Sequence, residues 1–262
     1  MSQPHRFPTI DDRLFLQSVS RALDVIEAYA ASPRPMSLGE IAEAAGINKS
    51  AAQRIGQTLL SRGYLEQTDT GRLKLGRLFL DRSFDYLRSN ELIERATPIL
   101  TDLRKAAEER IDLSLFDAVN DNLSIVYATR LQSKRETFYA TLSGRRQPSF
   151  ATSGGRACLA LLSDEEVEDI LERSVMVRLT PRTEVDRAAV RETIEEARRD
   201  GYCLAVEQAL LGEIAVAAAI RDREGRPVGA IHIAGSLSEW TEPDFRRRFA
   251  PMAMEAAGAL SG

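Results

Sequence analysis

Ser37-Leu-Gly-Glu-Ile-Ala-Glu-Ala-Ala-Gly-Ile-Asn-Lys-Ser50 decides the fold at the front of this chain. Ser37 and Glu40 stand at the spacing of a capping box, in which a serine and a glutamate satisfy the free amides of a helix start. The helix they open is short, with Leu38, Ile41, Ala42 and Ala45 on one face. Gly46 supplies the left-handed residue that closes it. Ile47 and Asn48 then lead into a second helix, predicted over residues 49–62, with Ala52, Ile55 and Leu59 turned inward. Upstream, Val19, Leu23, Ile26 and Ala30 recur at helical spacing over residues 18–31. Ser32-Pro33-Arg34-Pro35 ends that helix, because proline lacks an amide hydrogen and disfavours helix in the residue before it. Downstream, residues 64–67 and 72–75 alternate as two strands around a turn at Thr68-Asp69-Thr70-Gly71. Helix, helix, three-residue turn, helix, hairpin is the order of a winged helix-turn-helix.

The periodicity continues in a different texture. Leu80, Phe84 and Leu87 predict a helix over residues 77–89, and a longer one follows over 91–110, interrupted near Pro98. Strands are expected at 113–119, 123–130 and 136–143, the first two joined by a turn at Asn120-Asp121-Asn122. Helices at 153–162, 164–173 and 186–200 come next, then strands at 202–208, 214–221 and 228–234, and a final helix at 242–260. Strands in two groups around helices imply an α+β domain built on one sheet. The chain therefore divides into residues 14–76, a winged helix-turn-helix domain, residues 77–90, a linker helix, and residues 91–262, a second domain. No internal repeat or low-complexity tract is present.

Composition bounds the chemistry. The chain has 262 residues, 44% of them hydrophobic, and a formal charge of −4, the profile of an ordinary globular protein. The longest strongly apolar stretch, Ile214 to Ile220, is far short of the roughly 20 residues that cross a bilayer, and residues 1–12 carry no secretory pattern. A soluble, cytoplasmic protein without a membrane partner is expected. Two cysteines, Cys158 and Cys203, and two histidines, His5 and His232, build neither a disulfide framework nor a metal centre, so no metal and no cofactor is expected.

Charge is segregated. Between Gly46 and Arg77 stand six basic residues, Lys49, Arg54, Arg62, Arg72, Lys74 and Arg77, against two acidic ones, Glu66 and Asp69. Such a basic segment on an acidic protein is the footprint of a nucleic-acid contact. The small and polar residues opening the second helix of the motif, Asn48, Lys49, Ser50, Ala51 and Gln53, suit base edges and phosphates, and Arg54 and Gln57 continue that face. Ser37 opens the preceding helix, and Arg72 and Lys74 suit a wing on the phosphates. The bland alternative is an ordinary helix pair with solvated charges. The apolar stripe of helix 77–89 fits either packing on its own chain or a dimer contact.

Ser149-Phe-Ala-Thr-Ser-Gly-Gly-Arg-Ala157 enters a helix through small residues, leaving backbone amides free for an anion, or simply forming a tight turn. It lacks the Lys-Ser/Thr ending of a P-loop. Cys158 and Cys203 sit in apolar surroundings and read as packing residues. His232, within Ala230-Ile-His-Ile-Ala234, is either a satisfied core histidine or a pocket residue. Glu207 is a carboxylate in an otherwise apolar strand, too little for acid–base chemistry alone.

Taken together, the stretches Ser18-Val-Ser-Arg-Ala-Leu-Asp-Val-Ile26, Ser37 to Ser50, Arg72-Leu-Lys-Leu-Gly76, Ala151-Thr-Ser-Gly-Gly-Arg-Ala-Cys-Leu-Ala160, Leu179-Thr-Pro-Arg-Thr183 and Arg199-Asp-Gly-Tyr202 resemble the IclR family of bacterial transcriptional regulators. Leu179 to Thr183 and Gly201 to Gln208 look most like the branch that controls aromatic-acid degradation through protocatechuate and β-ketoadipate. The resemblance implies a DNA-binding winged helix-turn-helix, a linker helix and a GAF-like α/β effector-binding domain. It also implies a dimer or dimer of dimers on palindromic promoter DNA, repressing or activating according to a small carboxylate effector. The implied effector pocket lies under Thr152, Ser153, Gly154 and Gly155, with walls from Ala205, Glu207, Glu213, Ala215, His232 and Ala234. Ala215 stands where many members carry Cys or Ser, Ala219 where Pro is common, and His232 where a small hydroxyl residue is common. The expectation that follows is a flat carboxylic acid with its carboxylate on the amides of Ser153 to Gly155 and a hydrogen bond from His232. The protein is then not an enzyme. The rival readings are a helix-turn-helix fused to a catalytic domain using Cys203, Glu207 or His232, and an architectural DNA-binding protein without ligand.

Overall fold

The structure, a computed structural model, describes residues 13–117, 122–132 and 143–262. It divides after Leu87 into two compact units. The turn expected at 120–122 and the strand expected at 136–143 lie outside the described residues, except for Asn122 and Ser143, which both sit in turns.

The first unit runs α1 (Gln17–Ala31), α2 (Leu38–Ala44), α3 (Lys49–Ser61), β1 (Leu65–Gln67) and β2 (Leu73–Leu75). The Ser37 hydroxyl accepts from the Glu40 amide, and the Glu40 carboxylate accepts from the Ser37 amide at 2.8 Å, so the capping box is closed in both directions. Gly46 turns the chain at φ 64, a conformation that costs a residue with a Cβ. Asn48 then caps α3, accepting from the Ala51 amide at 2.8 Å. The helices close over Val25, Tyr29, Ile41, Ala52 and Leu59, and the hairpin adds Leu65 and Leu73. The hairpin is tied back twice, by a bridge from Met36 to Leu73 and by the buried Tyr29 hydroxyl, which donates to the Leu73 carbonyl at 3.0 Å. α4 (Leu78–Ser89) follows with no buried residue, and it exposes Leu80 and Phe84.

The second unit runs α5 (Glu91–Ala107), β3 (Arg110–Phe116), β4 (Ser124–Leu131), β5 (Arg146–Pro148), a 3-10 turn at Ser149–Ala151, α6 (Ser153–Leu159), α7 (Asp164–Arg173), α8 (Arg187–Asp200), β6 (Cys203–Val206), β7 (Glu213–Arg221), β8 (Pro227–Ser236) and α9 (Glu242–Leu260). Among the described residues its strands make one six-stranded antiparallel sheet in the order β5-β4-β3-β8-β7-β6. The last strand in sequence, β8, sits beside the first, β3, so the two strand groups meet in the middle of the sheet. Alternation sorts β8 by face. Gly235 lies against Phe245 of α9, while Ala230 and His232 lie against Gly154 of α6.

Several boundaries differ from the sequence reading: α6 ends at Leu159 and not at 162, β3 starts earlier than 113, and β5 was not expected, while the differences in α5 and β6 have a plain physical reason. α5 runs unbroken through Pro98 because Ile93, Ala96, Leu100 and Leu103 bury one side of it, and a proline removes only one amide donor. It stops at Ala107, capped by Glu108 in the left-handed region, so Arg110 opens β3 and does not end a helix. β6 stops at Val206, and Glu207 turns at φ 54.

Tyr29→Phe deletes the bond that holds the hairpin to α1 and leaves the ring in place. A loss of about 1 kcal/mol is expected, read in guanidinium titration as a lower midpoint at an unchanged slope.

Candidate functional site

Two sites are built by these elements, one in each unit. On the first, α3 presents Lys49, Ser50, Gln53, Arg54 and Gln57 to solvent. Ala51 is half-buried, and Asn48 spends its side chain on the cap. Among the described residues neither Lys49 nor Arg54 has a carboxylate partner, so both cations face outward uncompensated. The wing is different. Arg72 pairs with Glu40 and donates to the Pro35 carbonyl at 3.0 Å, and Lys74 reaches Glu66 at 3.4 Å. Glu40 also takes Arg34 at 2.9 Å. The Ser37 amide and hydroxyl, followed by Arg34 and Arg72, hold its carboxyl well below the usual range, at about 2. Ser37 and Arg72 are thus committed to fastening the wing to the start of α2.

In the second unit α6 approaches the sheet closely. A Cβ at Gly154 would stand 2.2 Å from the His232 ring, and one at Gly155 would stand 2.2 Å from the Ser149 carbonyl oxygen. Opposite them the sheet is paved with small side chains, Ala205, Ala215, Ala217 and Ala230, all buried. Between α6 and the sheet lies a cavity of about 10 Å³, the scale of one water molecule. It brings together Thr152, Ser153, Ala205, Glu213, Ala215 and His232 of the residues named from sequence. Gly154 and Gly155 form the packed floor beside it, and Ala234 lines an adjoining outer cleft of about 230 Å³. Glu207 is not in the wall, since its carboxylate accepts from the Gly212 amide at 2.9 Å and braces the loop between β6 and β7.

His232 is 2% exposed. Its Nε2 shares a 2.8 Å hydrogen bond with Ser114 Oγ, and its Nδ1 lies 3.5 Å from Ser153 Oγ. Burial pushes its pKa down to about 4 against the opposing pull of Asp112, so the ring is neutral at pH 7. Burial also pushes the Cys203 thiol up to about 11 and the Cys158 thiol higher still. Neither is a thiolate nucleophile at neutral pH. Among the described residues no cluster of His, Cys, Asp and Glu could hold a metal ion, and no helix is long and apolar enough to cross a membrane.

The sequence reading named Glu213 in the cavity wall but missed its partner Arg110 and the Asp112–Arg130 pair beside it. Arg110 Nη1 meets Glu213 at 2.6 Å and its Nε meets Asp112 at 3.0 Å, while Arg130 grips the two oxygens of Asp112 at 2.6 and 3.0 Å. Burial alone would lower the Arg110 pKa, and the Asp112 and Glu213 carboxylates reverse that and raise it. Tyr127 and Gln208 also face the cavity. Gln208 is saturated, accepting from Arg156 at 3.0 Å and from the Glu184 amide at 2.9 Å. The Tyr127 hydroxyl has no hydrogen-bond partner among the described residues, although the side chain is 7% exposed.

The model of the IclR helix-turn-helix domain matches residues 18–69, and the model of the bacterial transcriptional regulator IclR C-terminal domain matches residues 84–262. The transcriptional repressor IclR of Escherichia coli K12 is 28% identical over 243 residues, 92% of this chain and 88% of its own. The p-hydroxybenzoate hydroxylase transcriptional activator of Acinetobacter baylyi is 29% identical over 237 residues, 88% of this chain and 86% of its own. Among solved structures, an IclR homologue of Microbacterium hydrocarbonoxydans complexed with 4-hydroxybenzoate has a TM-score of 0.74 at 22% identity, covering 94% of this chain and 98% of that one. At that identity the likeness is one of fold.

Gly154→Ala drives a methyl into the His232 ring and destabilises the second unit. In a double-mutant cycle with His232→Ala the two losses are less than additive, and additive losses would mean that the close approach is not what makes Gly154 necessary. The folded protein keeps His232 unprotonated down to about pH 4, while the unfolded chain takes up the proton near 6.5. Between those values unfolding binds a proton, so stability falls as pH drops. His232→Gln is expected to remove up to about 1.4 kcal/mol per pH unit of that slope, measured by denaturant titration at pH 7 and pH 5.

Proposed function

Because the chain belongs to the IclR family of bacterial transcriptional regulators, we propose that it binds a palindromic promoter site and answers there to a small carboxylic acid, an aromatic one by preference. The observation that carries this reading is the pairing, on one chain, of an exposed cationic α3 face with a polar cavity closed under α6. The first unit is the DNA reader, with Lys49, Ser50, Gln53, Arg54 and Gln57 on bases and phosphates. Lys74 is the wing residue with reach to spare, and Arg72 acts through the wing's attachment. Residues 77–90 link this reader to the sensor.

Effector binds in the second unit against Thr152, Ser153, Gly154, Ala205, Ala215 and His232. Its aromatic character is supported by the Acinetobacter activator of p-hydroxybenzoate hydroxylase and by the 4-hydroxybenzoate held in the Microbacterium homologue. A cavity of about 10 Å³ cannot take a benzoate as it stands, so binding is coupled to movement of its walls. That coupling is what a sensor needs, since a ligand shifts an equilibrium only by binding one state better than the other. The protein works in the cytoplasm as a dimer or dimer of dimers, to which the exposed Phe15, Val19 and Leu23 of the α1 region contribute. It returns its ligand unchanged. Burial keeps both cysteines protonated at neutral pH, so the rival catalytic reading through Cys203 has no thiolate to use.

Fluorescence anisotropy on DNA from upstream of its own gene, against scrambled DNA, tests the reading. A preference of about 10³ or more is expected, and Lys49→Ala or Arg54→Ala should each lower the salt slope by about one. Equal binding to both DNAs, with and without 4-hydroxybenzoate, would contradict it.

A further inference from the structure

The wall between the closed cavity and the outer cleft is an ion pair. Arg110 and Glu213 line both spaces, and their side chains are 12% and 14% exposed. Arg110 has two acidic partners of unlike character. Asp112 is 1% exposed and clamped by Arg130 as well, so it is fixed in the sheet. Glu213 is the first residue of β7, directly after Gly212, which turns at φ 75. It is the partner whose removal would leave the sheet and the Asp112 clamp standing.

Charge decides the rest. The cluster holds two guanidiniums, Arg110 and Arg130, and two carboxylates, Asp112 and Glu213, so it is neutral as it stands. A ligand carboxylate added to it would bury one uncompensated negative charge, which is costly. The cluster stays neutral only if one of its own carboxylates leaves as the ligand arrives, and Glu213 is the one free to go. The other polar groups of the cavity are spoken for: His232 by Ser114, Gln208 by Arg156 and Glu184, Thr152 by the Gly155 amide at 3.1 Å. The Tyr127 hydroxyl makes no hydrogen bond to any described residue, either as donor or as acceptor, in a site where a buried donor is normally paired.

We propose that Glu213 is a built-in stand-in for the effector: a ligand carboxylate, arriving through the outer cleft, displaces it from Arg110 and accepts a hydrogen bond from the Tyr127 hydroxyl. This rests on the sensor reading above and specifies it. Arg110 carries a full charge and a bidentate fork, so it, and not the first-turn amides of α6, anchors the carboxylate. The displaced Glu213 draws the loop of Leu210 and Leu211 with it, and this opens the cavity.

The test uses the full-length protein, formate and 4-hydroxybenzoate as probes, thermal shift, and the fluorescence of Trp240. This is the chain's single tryptophan, and its indole nitrogen donates to Glu109 beside the cleft at 2.7 Å. Glu213→Gln leaves the cluster with a surplus positive charge. Formate should therefore raise its melting temperature and leave the wild type unmoved, and 4-hydroxybenzoate should bind the variant about tenfold tighter or better. Glu213→Ser is the second variant, with the same expectation should the glutamine variant fold poorly. Tyr127→Phe should weaken 4-hydroxybenzoate binding several-fold at no cost in melting temperature, because the hydroxyl it removes had no partner to lose. Formate without effect on both Glu213 variants, together with unchanged 4-hydroxybenzoate affinity, overturns the stand-in and leaves the aromatic-acid reading intact. Formate rescue without 4-hydroxybenzoate binding to any form keeps the stand-in and overturns the aromatic ligand.

Discussion

The carboxylate of Asp112 sits 1% exposed between two arginines, and the second unit is arranged around the need to keep that charge paired. A lone carboxylate at this depth would cost several kcal/mol, and a buried pair repays its desolvation only when the geometry is good and the remaining bonds are made. Here Arg130 comes from β4 and Arg110 from the start of β3, so the pairing stitches adjacent strands at the side of the cavity. The surplus donor of Arg110 then requires Glu213 from β7. One buried charge thus fixes residues on three strands and sets the polarity of the space beneath α6.

The opposite wall obeys a steric constraint. α6 carries two glycines in its first turn, after Ser153, because that turn runs against the His232 ring and the Ser149 backbone. The alanines of β6, β7 and β8 answer on the sheet side. Small residues there serve proximity. They bring helix amides, an imidazole and a guanidinium around a single space, which larger side chains would fill. A site closed this tightly changes when anything enters it, and a packed interior passes such changes on as discrete rearrangements.

How much of this is legible in the sequence depends on the range of the interaction. The helix-turn-helix is written locally: Ser37 with Glu40, Gly46, and Asn48 three residues before Ala51 each solve a backbone problem within one turn, and the structure makes those same bonds. α7 and α9 start and stop where their caps and periodicity place them. The sheet order is not local, because nothing near β8 says that it will lie beside β3. The charged wall was readable in part. Arg110, Asp112 and Ser114 alternate with Ile111, Leu113 and Leu115 in the period of a strand with one polar face, but assigning Arg110 to the preceding helix hides that pattern. Glu207 misleads in the opposite way. Its neighbours are apolar like those of a strand, yet it occupies a left-handed turn and braces a loop.

The central claim is that two separately folded units are thermodynamically linked, one reading DNA and the other holding an acid. Linkage between binding sites is reciprocal, so it is tested most directly by measuring the same coupling from both ends. The affinity of the full-length protein for its promoter DNA is measured with and without 4-hydroxybenzoate, and the affinity for 4-hydroxybenzoate is measured by calorimetry with and without that DNA. The account predicts one factor in both directions, of about 5 to 150. A ligand that binds the free and the DNA-bound protein with equal affinity would contradict it.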